Sequence, residues 1–169
     1  MIGGACIKFG DSVNTDVIIP GRYLTSIDPV ELAEHAFEPL GPAIQQQLRR
    51  SPVIVAGINF GCGSAREQAA SCLIGAGVKA VVAKSFARVF FRNSINTGLL
   101  AVECPEAVDC IADGGEAYID TASGTITAGG KTFQFKPYPE SLQKIVAAGG
   151  LIPYLAKHVL STKKVNSNG

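Results

Sequence analysis

Runs of β-branched apolar residues alternate along this chain with stretches that carry apolar positions at helical spacing, and their order predicts an α/β domain. Residues 5–9 read as a short strand and 10–14 as a turn. Residues 21–27 have no periodicity and read as an ordered loop, the kind of segment on which scaffolds usually present recognition groups. Asp28 as N-cap, Pro29 at the first helical position and apolar residues on one face predict a helix over 28–37; a second, polar helix is predicted over 42–50. An apolar run over 53–58 then breaks at Gly61 and Gly63, a helix follows over 65–74, and Gly75 and Gly77 close it. A strand over 78–83, a helix capped by Ser85 and running through 93, and a strand over 99–102 complete a β-α-β-α-β order, which implies parallel strands with right-handed crossovers.

The pattern then changes. Residues 116–120, 125–128 and 132–136 are short alternating runs separated by turn residues, which predicts an antiparallel meander. Helices are predicted over 139–148, ending at Gly149 and Gly150, and over 151–160. The whole reads as a mixed sheet in one domain over 1–160, with 161–169 as a frayed tail.

Chemistry concentrates where the strand over 53–58 turns into its helix. Gly61 and Gly63 allow a tight turn that leaves room for a ligand, helix amides face that turn, and Arg66 adds a planar fork of donors suited to a carboxylate or phosphate. Ser64 places a hydroxyl in the same turn. Ser64 followed three residues on by Glu67 is equally a capping box, so an anion cradle and plain helix capping both fit these residues. Common motifs do not fit. A dinucleotide fingerprint would have a small residue at position 66, a P-loop would end in Gly-Lys-Ser/Thr, and a nucleophile elbow would have glycines two positions either side of Ser64.

Composition narrows the classes. Apolar residues at 47% against 17% charged describe a soluble globule, and a formal net charge of +1 argues against a nucleic-acid partner. No apolar run approaches a membrane span and the first residues lack a signal-peptide pattern, so cytoplasm is the expected compartment. The five cysteines, Cys6, Cys62, Cys72, Cys104 and Cys110, contain no Cys-x-x-Cys pair, which disfavours a disulfide framework, a zinc site or an iron–sulfur cluster carried by this chain alone. His35 has no acidic or cysteine partner at ligand spacing and reads as an ordinary helix residue.

The stretch Asn59-Phe-Gly-Cys-Gly-Ser-Ala-Arg-Glu-Gln-Ala69 resembles the Gly-Ser-Ser-Arg-Glu signature of the aconitase superfamily's swivelling domain, in the form of the separate small subunits of 3-isopropylmalate dehydratases. Similarity extends to residues 14–24, 83–98 and 149–155, in order along nearly the whole chain. The resemblance implies a swivelling β/β/α fold. It also implies Ser64 as the base and Arg66 as the group that grips a substrate carboxylate, with Gly63 and Ala65 beside them and Asp16 close to the serine. Tyr23, Leu24 and Thr25 would form the substrate-specificity loop. Ala65 stands where aconitase has a second serine. The implied 4Fe-4S cluster and its ligands are not found in this sequence. The family pattern therefore makes the chain a lid that is inactive alone and works on a hydroxydiacid with a large, cluster-bearing subunit. The expected reaction is isomerisation of 2-isopropylmalate to 3-isopropylmalate. Related dehydratases of homoaconitase, dimethylmalate or citraconate type remain alternatives, as does a stand-alone anion-binding module.

Overall fold

The computed structural model describes the backbone of residues 1–166 and side chains as far as residue 158. Strand β1 (Ile2–Lys8) is the seam of the architecture. Its first half pairs antiparallel with β5 (Glu116–Asp120) and its second half pairs parallel with β2 (Val53–Ala56). From β2 the parallel side continues to β3 (Ala80–Ala83) and β4 (Leu100–Glu103). From β5 the antiparallel side continues to β6 (Thr125–Ala128) and β7 (Lys131–Gln134). The result is a seven-stranded mixed sheet in the order β4-β3-β2-β1-β5-β6-β7, as the alternation of patterns predicts.

β1 begins earlier than its apolar run suggested. Gly3 and Gly4 are poor strand formers, yet a Cβ on Gly3 would sit 2.4 Å from the Ala117 carbonyl oxygen, so the close approach to β5 itself requires glycine.

Each parallel strand is buried on both faces, and alternate residues feed separate cores. Ile54, Ala56, Val81 and Ala83 pack beneath α2 (Pro29–Ala33), α4 (Gln68–Gly75) and α5 (Arg88–Thr97). Val53, Val55, Val82 and Val102 face the other way, onto α6 (Pro105–Cys110) and the apolar side of the meander through Ile119 and Ile126. The sequence pattern missed α6, whose single turn and a half carries too little periodicity to register. Lys8 Nζ holds its end by donating to the carbonyls of Val108 and Ile111 at 2.7 and 2.6 Å. Two further helices, α1 (Thr15–Ile18) and α3 (Pro42–Leu48), sit on the crossover from β1 to β2. After the meander come α7 (Glu140–Ala147) and α8 (Leu151–Asn166), both against α5. α8 continues to Asn166 rather than ending at residue 160; of the predicted tail, only residues 167–169 lie outside the described residues.

Two helix starts differ from the pattern's prediction, and both lie near the glycine turn. α4 opens at Gln68, not at residue 65, with Glu67 as an N-cap that makes no side-chain capping bond. α5 opens at Arg88 behind Ala87, because the Ser85 hydroxyl is taken by the amide of Asn59 at 2.8 Å and does not cap.

An aromatic cluster supports the turn from below. Phe60 meets Phe90 edge to face at a 5.1 Å centroid separation, and Phe86 stacks on Phe90 at 6.2 Å. Gly61, at φ 79°, passes so close that a Cβ there would be 2.2 Å from Phe90 Cγ. Truncating this ring would open a void directly under the turn. Phe90→Ala is expected to cost about 3–5 kcal/mol, read as a lower urea midpoint at unchanged slope.

Candidate functional site

Beyond their last paired residues, β1 and β2 run on side by side as two loops and remain bonded to each other. Gly57 donates to the Gly10 carbonyl at 3.0 Å, Ser12 to Ile58 at 2.7 Å, Gly61 to Val13 at 2.8 Å and Thr15 to Cys62 at 2.8 Å. Asp11 adds its carboxylate, which accepts from the Ile58 amide at 2.7 Å. At the far end the buried Thr15 hydroxyl donates to the Ser64 carbonyl at 2.9 Å. Asn14 caps α1 by accepting from the Asp16 amide at 2.8 Å. The same Asn14 side chain fills the space beside Gly63, where a Cβ would come within 2.5 Å of its Oδ1, and the φ of 95° there independently favours glycine.

This lacing fixes the backbone of residues 61–64 outside any helix. The Ser64–Glu67 capping box is therefore not formed: the Ser64 hydroxyl makes no hydrogen bond among the described residues, and Ser64 and Ala65 are exposed. Backbone amides from Gly63 to Gln68 likewise donate to no protein acceptor among the described residues, whereas Ala69 and Ala70 already donate back to Arg66 and Glu67. Unengaged N–H groups and an unbonded hydroxyl on one short exposed segment make a patch of donors suited to an anion.

Arg66 stands at its rim. Its Nη1 pairs with the Asp16 carboxylate and donates to the Ile19 carbonyl at 3.3 Å, leaving the rest of the fork without a hydrogen-bond partner among the described residues. The Arg66 side chain is 17% exposed and that of Asp16 56%, so the pair adds little stability and serves mainly to hold the guanidinium in place. Gly21 lies against it, with a Cβ position 3.5 Å from Arg66 Nη2. Of the residues singled out in the sequence, Ser64, Ala65, Gly63, Arg66 and Asp16 are thus assembled in one place by α1 and the two laced loops.

Residues 23–25 reach the same region through backbone. A single 3-10 turn (Gly21–Tyr23) follows Pro20, the side-chain Nε2 of Gln68 donates to the Leu24 carbonyl at 3.4 Å, and Thr25 is exposed. Leu24 packs half-buried against the core. The hydroxyl of Tyr23 is committed elsewhere: it donates to Glu38 at 2.7 Å, and its ring stacks on His35 at 3.5 Å and 6°. Glu38 also accepts from His35 Nδ1 at 2.8 Å and pairs with Arg22. This cluster was not foreseen; the spacing of His35 and Glu38, three apart across the end of a helix, is the signal that could have found it.

Among the described residues no three His, Cys, Asp or Glu side chains converge as a metal site. Cys6, Cys72 and Cys104 are buried in separate parts of the cores, and burial raises the thiol of Cys6 to about 11. Cys62 is half-buried in the turn. No described helix is long and apolar enough to cross a membrane. Two concavities, of about 720 and 470 Å³, lie beside α5 and α7 and include none of Gly63, Ser64 or Arg66, and the turn is open to solvent at residues 63–65.

The chain is similar to known proteins over most of its length. The aconitase C-terminal domain family matches residues 40–107, which include the glycine turn. A 3-isopropylmalate dehydratase small subunit from Moorella thermoacetica is 48% identical over 161 residues, spanning 94% of this chain and 97% of the relative. A 2,3-dimethylmalate dehydratase small subunit from Eubacterium barkeri is 47% identical over 154 residues, spanning 90% and 94%. The crystal structure of a 3-isopropylmalate dehydratase from Methanocaldococcus jannaschii superposes with a TM-score of 0.89 at 44% identity, covering 96% of this chain and 98% of that one. With likeness of this extent in both sequence and fold, the chain belongs to the 3-isopropylmalate dehydratase small-subunit family of the aconitase superfamily.

Proposed function

We propose that this chain is the lid subunit of a cytoplasmic hydro-lyase that interconverts 2-isopropylmalate and 3-isopropylmalate, a step of leucine biosynthesis, in complex with a large subunit. The observation that carries the reading is the free Ser64 hydroxyl, set among unengaged amides and beside a guanidinium with donors to spare. In this reading Arg66 binds a carboxylate of the hydroxydiacid in bidentate fashion and so places the adjacent C–H against Ser64 Oγ. Ser64 removes that proton, the hydroxyl leaves the neighbouring carbon to give the alkene, and return of the proton and of water at exchanged carbons yields the isomer. A serine hydroxyl is a weak base in water, so its alkoxide must be stabilised by the surrounding amides and cation once water is excluded. Asp16 holds Arg66 in place for this and is the second member of the catalytic pair.

The residues present here do not fit an iron–sulfur cluster, since the cysteines lie apart and no metal-type donor set converges among the described residues. We assign the four-iron cluster that the family pattern implies to the large subunit, where it would supply Lewis acidity. The composition of the loop over 21–27 supports a branched diacid over a tricarboxylate. Thr25 offers a methyl and no cation, and Arg22, the cation of residues 21–27, is engaged by Glu38. A third carboxylate buried there without a cationic partner would cost several kcal/mol, roughly the effective penalty for an unpaired ion.

Ser64→Ala is expected to leave the fold and its stability within about 0.5 kcal/mol of wild type, because the hydroxyl is exposed and unbonded. Turnover of the complex with the large subunit should fall by several orders of magnitude. Wild-type turnover in this variant would remove Ser64 from the chemistry. Arg66→Lys should raise KM and lower kcat together, since an ammonium reproduces neither the bidentate contact nor the placement of the reacting carbon; steady-state kinetics on 2-isopropylmalate would show it. A panel of 2-isopropylmalate, 2,3-dimethylmalate and homocitrate should show preference for the first. Thr25→Arg should lower that activity and admit the substrate with a third carboxylate. Equal wild-type rates across the panel would show that residues 23–25 do not select the substrate.

A further inference from the structure

Phe37 occupies the left-handed region at φ 54°, an outlier for a bulky residue, yet its ring is fully buried and stacks on Phe9 at 4.4 Å. Its amide donates to the Ile18 carbonyl at 2.9 Å. Phe9 directly follows β1 and Ile18 belongs to α1, so both anchors come from the segments that carry the laced loops. A strained residue held so firmly fixes the direction of the next side chain, and the next side chain is Glu38.

Glu38 is an acceptor hub. Its carboxylate receives the Tyr23 hydroxyl and His35 Nδ1 on one oxygen and pairs with Arg22 on the other. Arg22 also lies over the Tyr23 ring, 4.8 Å from its centroid, and His35 stacks on that ring. Tyr23 thus contacts a cation and an imidazole through its ring while its hydroxyl is tied to the same acid. The residue before this pair, Gly21, touches the Arg66 fork, and the residue after it, Leu24, is bonded through its carbonyl to Gln68 of α4.

We propose that Glu38 is a positioning residue which, with His35, clamps residues 21–25 against Arg66 and so sets the substrate discrimination of the site. The proposal rests on the reading that residues 23–25 meet the substrate. It concerns loop geometry, so Glu38 touches neither substrate nor reacting atoms. Without the hub, Tyr23 keeps its ring contacts but the 3-10 turn loses its side-chain anchor, and the wall next to Arg66 becomes adjustable.

The test compares Glu38→Ala, Glu38→Gln and Tyr23→Phe with wild type in two assays. Hydrogen exchange on the full chain reads the amides of Tyr23, Leu24 and Ser26, whose bonds back to Pro20, Gly21 and Tyr23 form the turn. Steady-state kinetics of the complex with the large subunit compares 2-isopropylmalate with 2,3-dimethylmalate. Glu38→Ala should exchange at these amides at least tenfold faster, raise KM for 2-isopropylmalate about tenfold with kcat within threefold, and shrink the ratio of kcat/KM between the two substrates. Glu38→Gln, which keeps one acceptor oxygen, should recover most of both effects, and Tyr23→Phe should show a smaller loosening with the fold intact. Unchanged exchange in folded Glu38→Ala and Tyr23→Phe would overturn the clamp. Faster exchange with an unchanged KM and ratio would overturn its role in selection. A wild-type complex inactive on both substrates would instead sink the proposed function, and the exchange result would still decide the clamp.

Discussion

The parallel pairing of β1 with β2 does not stop where the strands stop. It continues as a run of backbone hydrogen bonds between residues 9–15 and 55–62, and the Thr15 hydroxyl carries it on to Ser64. Position along that extended ladder is set by the same register that buries Ile54 on one face of the sheet and Val53 and Val55 on the other. A slip of one residue would exchange the two faces and move the turn with them. The location of the serine is therefore tied to the burial of the core, and the glycines are what let the ladder reach so far. Phe90 occupies the space a side chain at 61 would need, and Asn14 the space at 63.

Holding the turn in this way has a cost in regular structure. Residues 62–68 could have formed another turn of α4, with Ser64 satisfying a first-turn amide. Instead the helix begins at Gln68 and the amides are left unengaged, although this segment is exposed and water can reach them. Local preference and observed backbone disagree here, and such disagreements gather where a chain is arranged for a ligand rather than for itself. Phe37 is a second such place, and it lies behind the loop next to Arg66.

Much of this was legible in the sequence because strands buried on both faces announce themselves as unbroken apolar runs, as at 53–56, 80–83 and 100–102. The glycine turn was legible through Gly61, Gly63 and the serine and arginine beside them. What periodicity could not show were elements too short to have any. α1 is one turn capped by Asn14, and α6 is hardly longer. Ser64 and Ser85 misled for a common reason: a serine before an apolar run signals a cap, but tertiary bonds decide where the helix starts. At 85 the hydroxyl accepts from Asn59 across the turn, and at 64 the carbonyl is held by Thr15. In the Glu38 hub the spacing of His35 and Glu38 could signal their own pairing, but the arrival of Arg22 and Tyr23 from around a bend is something only the fold creates.

The openness of the turn bears on how such a site could work. Two charges 4 Å apart interact by about 1 kcal/mol in water and by about 4 kcal/mol at an effective dielectric of 20, so while the turn is open to water Arg66 orients a carboxylate weakly and a solvated Ser64 hydroxyl stays an ordinary hydroxyl. Neither concavity beside α5 and α7 covers the turn. On the proposed reading, the surface that excludes water belongs to another subunit, and this chain must bring its half of the geometry already formed. A rigid presentation is what the laced loops and the Asp16–Arg66 pair provide: closing the complex then changes the dielectric around Ser64 and Arg66 without having to arrange them, and the ordering cost of the catalytic groups is met when the chain folds rather than at each turnover.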